Sequence, residues 1–370
     1  MYLNNAGPIT AFFPADTKSR PLENVACCHD LPEPAAELTS KPEFSRGDVL
    51  DGRFFILEAL YCGGMATLYW AEDMDHGRRN VAVKVPLLKF ESDPAFYGHF
   101  QREEEIGLKL NHPSLLKFIP VENKSRAYLV TEYLRGCTLD YIIHNMRPLP
   151  EGDALKITSL IGEALQHMHD CGIIHNDLKP SNVMICSDQT LRVMDFGLAT
   201  YASARRGIFG ALAPIFGTPQ YMAPEQVKNK RTDPRTDVYT LGVMLFEMLT
   251  GKLPFQHDDP WASVRLRIYG DPVAPRSLNP AISTQAEEIV LHAMQRRPDD
   301  RYQTAAAFKA DLDSSDRVRV TGYCNRLKVP RCKLSLEGAQ LLAGALIGTG
   351  VIVFLVIIFL CLWYFGSGRH

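Results

Sequence analysis

The chain has 370 residues, 46% of them hydrophobic and 22% charged, which excludes a wholly disordered or fibrous protein and allows about two packed units. Forty basic residues against 42 acidic ones leave a formal charge of −2, so no global field draws the chain to nucleic acid, and no nucleic-acid partner is expected. Nine cysteines, an odd number without metal-ligand spacing, suit reduced thiols better than a disulfide framework, and the one close cluster, Cys27, Cys28 and His29, matches a zinc site poorly.

Residues 1–45 are rich in Pro, Ala, Glu and Ser without sustained periodicity and read as a disordered leader. No basic segment followed by an apolar run marks a secretory signal there. From Asp48 short strand-like runs follow: Arg53 to Leu60, Leu68 to Asp73 and Val81 to Val85, with a turn at Asp75-His76-Gly77 between the last two. Pro94 to Leu110 reads as a helix, and Lys117 to Val121 and Ala127 to Tyr133 as two further strands. Five strands and one helix make a small lobe. After Gly136 the pattern turns helical. Glu151 to Cys171 carries Leu155, Ile157, Leu160, Ile161, Leu165 and Met168 on one face, and Asp237 to Thr250 is apolar nearly all round, as a lobe's central helix would be. Pro260 to Tyr269, Thr284 to Met294 and Thr304 to Leu312 complete a larger helical lobe. The expected class is α+β, two-lobed, over 46–315, with a basic linker at 316–337.

Between Gly338 and Gly368 there is no Asp, Glu, Lys or Arg. A helix of about 25 residues at ~1.5 Å each reaches ~37 Å, enough to cross a hydrocarbon core of ~30 Å. Residues 338–366 are therefore expected to span a lipid bilayer once, leaving a tail at 367–370. Arg326, Lys328, Arg331 and Lys333 precede the span and only Arg369 and His370 follow it, which by the positive-inside rule places the preceding domain in the cytoplasm, anchored to the cell (inner) membrane. Gly344 and Gly348 have the small-xxx-small spacing of a helix-pairing face, the basis for a homodimer.

The densest chemistry lies in Ile174-His175-Asn176-Asp177-Leu178-Lys179-Pro180-Ser181-Asn182, followed after a short hairpin (Val183 to Ile185, Leu191 to Met194) by Asp195-Phe196-Gly197. These residue types belong together in phosphoryl transfer. A carboxylate orients the attacking hydroxyl, a lysine offsets charge on the moving group, and Asn and Asp oxygens suit Mg²⁺. Together with Val81-Ala82-Val83-Lys84 and Gly217-Thr218-Pro219-Gln220-Tyr221-Met222-Ala223-Pro224-Glu225, they make the chain resemble a protein kinase over about residues 50 to 315, in style most similar to bacterial membrane Ser/Thr kinases. The resemblance implies that Asp177 is the catalytic base, Lys179 its phosphate-charge partner, and Asn182 and Asp195 the metal ligands. Lys84 would hold the ATP α and β phosphates and pair with Glu103, though Glu104 and Glu105 leave that register open by a residue. Lys179 and Thr218 together imply Ser and Thr acceptors on protein substrates. The base pocket would be roofed by Leu60, Leu68 and Ala82 and floored by Met184, with Glu132 to Leu134 as the hinge and Thr131 behind it. ATP and Mg²⁺, with Mn²⁺ as a substitute, are the implied cofactors. Structural pairings are also implied, Glu225 with Arg301 and Asp237 beneath the catalytic-loop backbone.

Two departures stand out. The phosphate-covering loop of the family reads G-x-G-x-x-G, whereas here Tyr61-Cys62-Gly63-Gly64-Met65-Ala66 keeps Gly63 and Gly64 but has Tyr61 and Ala66 at the first and third glycine positions, which is expected to weaken ATP affinity without abolishing it. Asn176 stands where many members have an arginine that pairs with a phosphate on the activation loop, so phosphorylation of Thr200 or Ser203 is not expected to be required. Arg205 and Arg206 read as a solvated stretch of loop or as a substitute charge. Tyr61 and Ala66 also motivate the alternative of a nucleotide-binding scaffold without catalysis. A small-molecule kinase is disfavoured by the segment from Gly217 to Glu225.

Overall fold

Apolar residues alternating along four consecutive runs build an antiparallel sheet ordered β1 (Val49–Leu50), β2 (Phe54–Cys62), β3 (Ala66–Asp73), β4 (Arg79–Pro86) and β5 (Leu129–Glu132). This computed structural model describes residues 42–91, 94–202, 220–255 and 260–328. One face of the sheet buries Phe54, Ile56, Tyr69, Ala71, Val81 and Val83 in a core of its own. A turn of 3-10 helix at Met74–His76, closed by Gly77 in the left-handed conformation, joins β3 to β4. Asp73, fully buried at the end of β3, takes Arg53 at 2.7 Å and Arg79 at 2.9 Å, so two strands are tied to it by ion pairs. The short α1 (Leu88–Glu91) and helix α2 (Pro94–Lys109) precede β5 in the chain.

The expected strand at Lys117 to Val121 does not form. Its pairing with β5 is a single bridge, Phe118 opposite Thr131, flanked by Ile119 N–H donating to Val130 O at 2.8 Å and Glu132 N–H to Lys117 O at 2.9 Å. Beyond it the Tyr128 carbonyl accepts from Lys124 Nζ at 2.7 Å. The fifth strand is β1, a two-residue edge ahead of the expected start.

A second sheet, β6 (Gly136–Thr138), β8 (Val183–Cys186) and β9 (Leu191–Val193), has the order β6-β8-β9, and β7 (Ile173–Ile174) pairs with β10 (Thr200–Tyr201). Helix α3 (Leu139–Met146), absent from the sequence reading, starts at Thr138, whose Oγ1 accepts from Tyr141 N–H at 3.3 Å. Helix α4 (Glu151–Asp170) and the short α5 (Pro224–Val227) lead to α6 (Pro234–Thr250), which begins three residues before the expected Asp237 because Asp233 caps it with Pro234 at the first position. Val238, Leu241, Val243, Met244, Leu245 and Phe246 are all fully buried, so α6 is enclosed on every side. Around it lie α7 (Pro260–Tyr269), α8 (Pro275–Leu278), α9 (Thr284–Ala293) and α10 (Ala305–Asp313). The folded unit runs on to Leu327: Glu288 of α9 accepts from the N–H groups of Thr321 at 2.7 Å, Gly322 at 3.2 Å and Tyr323 at 3.1 Å. Residues 1–41 of the expected leader and the expected span at 338–366 lie outside the described residues. Among the described residues no helix is long and apolar enough to cross a membrane.

Arg301 and Glu225 form a buried ion pair. Arg301 Nη1 and Nη2 each reach one oxygen of Glu225 at 2.8 Å, Arg301 Nε donates to Gln295 O at 2.7 Å, and the guanidinium lies 4.7 Å from the ring centre of Tyr239. Thr236 Oγ1 donates to the same carboxylate at 2.9 Å. Removing one partner strands the other charge in the interior. Arg301→Ala is expected to cost about 3–5 kcal/mol, measured by urea unfolding of the full chain in detergent against the unchanged chain; a loss below about 1 kcal/mol would mean that Glu225 finds another partner.

Candidate active site

Strand β4 turns Lys84 toward α2, where Glu103 is 94% buried. Lys84 Nζ lies 2.8 Å from one oxygen of Glu103 and 2.9 Å from the other, and 4.0 Å from Oδ1 of Asp195. Burial works against the lysine charge, but Glu103 and Asp195 outweigh it and hold its pKa above the ordinary lysine value. The register left open by three successive glutamates is thereby closed. Glu104 binds Lys124 and Glu105 accepts from Tyr201 Oη at 2.7 Å, so each of the three has a different partner.

The loop after β7 is shaped by one buried carboxylate. Asp237 of α6 accepts from the backbone N–H of His175 and of Asn176, both at 2.9 Å, and its Oδ2 lies 2.8 Å from His169 Nε2. Held this way, Asn176 adopts a left-handed backbone with φ of 65°, a conformation that asparagine tolerates better than most residues. Asp177 then faces Lys179, whose Nζ donates to its Oδ2 at 2.8 Å. Asn182 Nδ2 donates to Asp177 O at 2.8 Å and lies 3.3 Å from Asp177 Oδ2, while its backbone carbonyl accepts from Met194 N–H at 2.8 Å. Burial raises the Asp177 pKa above the ordinary aspartate value, with Lys179 opposing it.

Asp195 also has a left-handed backbone, φ 63°, and accepts from Gly197 N–H at 3.3 Å. Burial would lift its pKa, but Lys84 and Lys179 together hold it below the usual carboxylate value. An ionised Asp195 and an Asn182 whose amide nitrogen is committed to Asp177 leave hard oxygens as the metal-capable atoms of the pair, a donor set that fits Mg²⁺ or Mn²⁺. Phe196, fully buried, stacks on Phe118 with ring centres 5.8 Å apart and meets His175 edge-on at 5.9 Å. Phe118 in turn presses on α2, where a Cβ added at Gly107 would lie 2.4 Å from the ring. An aromatic column thus joins the loop bearing Asp177, the loop bearing Asp195 and the helix bearing Glu103.

Strand register sets the base-pocket candidates. Leu68 is opposite Lys84, and Ala82 opposite Thr131, one residue before Glu132. Met184 pairs with Thr138 in the second sheet. The Glu132 side chain accepts from Lys117 N–H at 3.0 Å and Arg192 Nε at 3.2 Å. Leu60 is half-buried on β2 and Leu134 half-buried just after β5. In the glycine-altered loop, Gly63 N–H donates to Ala66 O at 3.0 Å and Met65 O accepts from Leu87 N–H at 2.9 Å. A Cβ on Gly63 would lie 2.9 Å from Cε1 of Tyr61, so the tyrosine ring occupies the space that this glycine opens. Gly64 meets nothing within 4 Å. Thr218, with Ser203, Arg205 and Arg206, lies outside the described residues.

Sequence reasoning missed two members of this network. Asn176 Nδ2 donates to Thr200 Oγ1 at 2.8 Å, and Gln226 Nε2 donates to Asn176 O at 2.7 Å while its own Oε1 accepts from Ala223 N–H at 2.8 Å. These partners lie 24 and 50 positions from Asn176, beyond any local pattern.

Residues 57–312 match the protein kinase domain family model. The chain is 39% identical over 268 residues to serine/threonine-protein kinase PknB of Mycobacterium leprae and 38% identical over 268 residues to PknB of Mycolicibacterium smegmatis, in each case over 71% of this chain and 43% of the relative. It is 37% identical over 268 residues to PknB of Mycobacterium tuberculosis, with the same shares covered. The alignment therefore spans less than half the length of these relatives. Family model and relatives agree with the geometry: the chain belongs to the protein kinase family, on its bacterial, eukaryotic-like side.

Proposed function

We propose that this chain is a Ser/Thr protein kinase that transfers the γ-phosphoryl group of ATP to hydroxyls of protein substrates in signal transduction. The observation that carries the reading is Lys84 bonded to both oxygens of Glu103 with Asp195 at 4.0 Å, because it sets a phosphate-binding cation beside a metal-capable carboxylate. In the mechanism, Asp177 orients the acceptor hydroxyl and takes its proton at Oδ1, while Lys179 and Asn182 hold Oδ2. Lys179 offsets negative charge on the transferring group, and Thr218 braces the site. Lys84, oriented by Glu103, holds the α and β phosphates. Asn182 and Asp195 would hold Mg²⁺, which supplies electrostatic neutralisation of the phosphate oxygens when bound. Backbone groups of Glu132 and Leu134 would take the adenine edge, between Leu60, Leu68 and Ala82 on one side and Met184 on the other, with Gly63 and Gly64 over the phosphates. The charge-free stretch at 338–366 supports a single membrane span with the kinase domain (46–315) cytoplasmic, and Gly344 and Gly348 support a homodimer through it. Acceptor class is supported by the relatives' names and by Lys179.

Three outcomes test this. Asp177→Asn in the full chain, solubilised in neutral detergent with Mg²⁺ and ATP, is expected to lower phosphate incorporation into a generic Ser/Thr acceptor about 10²–10⁴-fold, followed by intact mass. Absence of transfer from the unchanged chain, despite ATP binding, would favour the scaffold instead. Restoring both glycines, Tyr61→Gly with Ala66→Gly, is expected to tighten the ATP dissociation constant about tenfold, or ~1.4 kcal/mol; an unchanged constant by calorimetry would show that the altered loop costs nothing. Thr200→Ala with Ser203→Ala is expected to retain transfer within about tenfold, since Asn176 carries no charge with which to pair a phosphate there; abolition of transfer with an unchanged melting temperature would show that phosphorylation there is needed.

A further inference from the structure

Strand β10 is two residues long, and its side chains reach two different parts of the active site. Its backbone is fixed to the helical lobe: Thr200 pairs with Ile174 and Tyr201 with Ile173 of β7, and the next residue, Ala202, donates its N–H to Gly172 O at 2.8 Å. Thr200 meets the catalytic loop, where Asn176 Nδ2 donates to its hydroxyl. Tyr201 meets α2. Its Oη donates to Glu105 at 2.7 Å, and Lys109, one helical turn beyond Glu105, holds its Nζ 5.0 Å from the centre of the ring. The ring is half-buried and packs against the core of the helical lobe.

Glu103, bonded to Lys84, lies two residues from Glu105 and therefore about 200° away around the helix axis. Helix α2 is thus gripped by the sheet on one side and by β10 on the other. We propose that Tyr201 is a positioning residue for phosphoryl transfer: through Glu105 and Lys109 it anchors α2 to the strand pair that flanks the catalytic loop, and so keeps the Lys84–Glu103 pair closed. The proposal rests on the phosphoryl-transfer reading above. Without the phenol hydroxyl, α2 leaves this position for part of the time and Lys84 loses its partner, while the acceptor still meets an unaltered helical lobe.

The full chain in neutral detergent, with Mg²⁺, ATP and a generic Ser/Thr acceptor, tests this through kcat and KM measured separately, together with hydrogen exchange of residues 94–109 followed by mass spectrometry. Tyr201→Phe, which removes only the hydroxyl, and Glu105→Ala are each expected to lower kcat about three- to tenfold at unchanged acceptor KM, the size of one exposed hydrogen bond. Exchange in α2 is expected to quicken with the melting temperature unchanged. Glu105→Gln keeps an acceptor oxygen and is expected to retain kcat within about twofold, and the double change Tyr201→Phe with Glu105→Ala is expected to cost no more than either single change. A kcat for Tyr201→Phe within about twofold of the unchanged chain, effects that multiply in the double change, or a melting temperature that falls along with kcat overturns the proposal. If the unchanged chain transfers nothing, the phosphoryl-transfer reading fails by itself and exchange alone decides: quickening confined to α2 keeps Tyr201 as its anchor, and unchanged exchange removes that too.

Discussion

A carboxylate sealed in the middle of a helical lobe has to be met by donors, and everything at the active site is arranged around how Asp237 is met. Only 1% of Asp237 is exposed, and its two oxygens are taken by consecutive backbone N–H groups and a histidine. Because α6 is packed on every side, this acceptor cannot move, and the loop that satisfies it inherits the rigidity of the core. The left-handed turn at Asn176 follows from that constraint. So does the position of Asp177, one residue further on.

Rigidity in the helical lobe would not by itself fix the sheet. The connection runs through rings: His175 on Phe196, Phe196 on Phe118, and Phe118 into the space left by Gly107 on α2. Packing of this kind transmits position because interiors are close-packed and a ring cannot shift without displacing its neighbour. Glu103 lies one helical turn before Gly107, so the same contact that seats the helix also presents Glu103 to Lys84. Charge completes the arrangement, with Lys84 and Lys179 keeping Asp195 ionised from two directions.

Much of this could be read in the linear chain because the chemistry is local in sequence. Asp177, Lys179 and Asn182 lie within six residues, and Asp195-Phe196-Gly197 follows after one hairpin. The long helices were equally legible, since their apolar faces repeat over four or more turns. What could not be read depends on contacts between distant residues. Three consecutive glutamates left the choice of Glu103 open by a residue until its two neighbours had their own partners. The strand expected at Lys117 to Val121 is reduced to a single bridge, with the Lys124 side chain reaching back to the Tyr128 carbonyl. Helix α3 has only eight residues, too few for a periodic signal. Gln226 and Thr200 entered the network around Asn176 only once the chain was folded.

Glu288 gives the end of the described chain a mechanical character. Three successive peptide N–H groups and the Thr321 hydroxyl converge on its carboxylate, and Tyr323 stacks on His292 of the same helix at 5.4 Å. A force applied along the backbone beyond Leu327 meets this clasp before it meets the hydrophobic core. The hydrogen bonds lie side by side on one acceptor group, so they share the load and yield together, and until they yield the pull is carried into α9 and its packing against α6. The tail is thus a handle on the lobe's central helix, the same helix that carries Asp237.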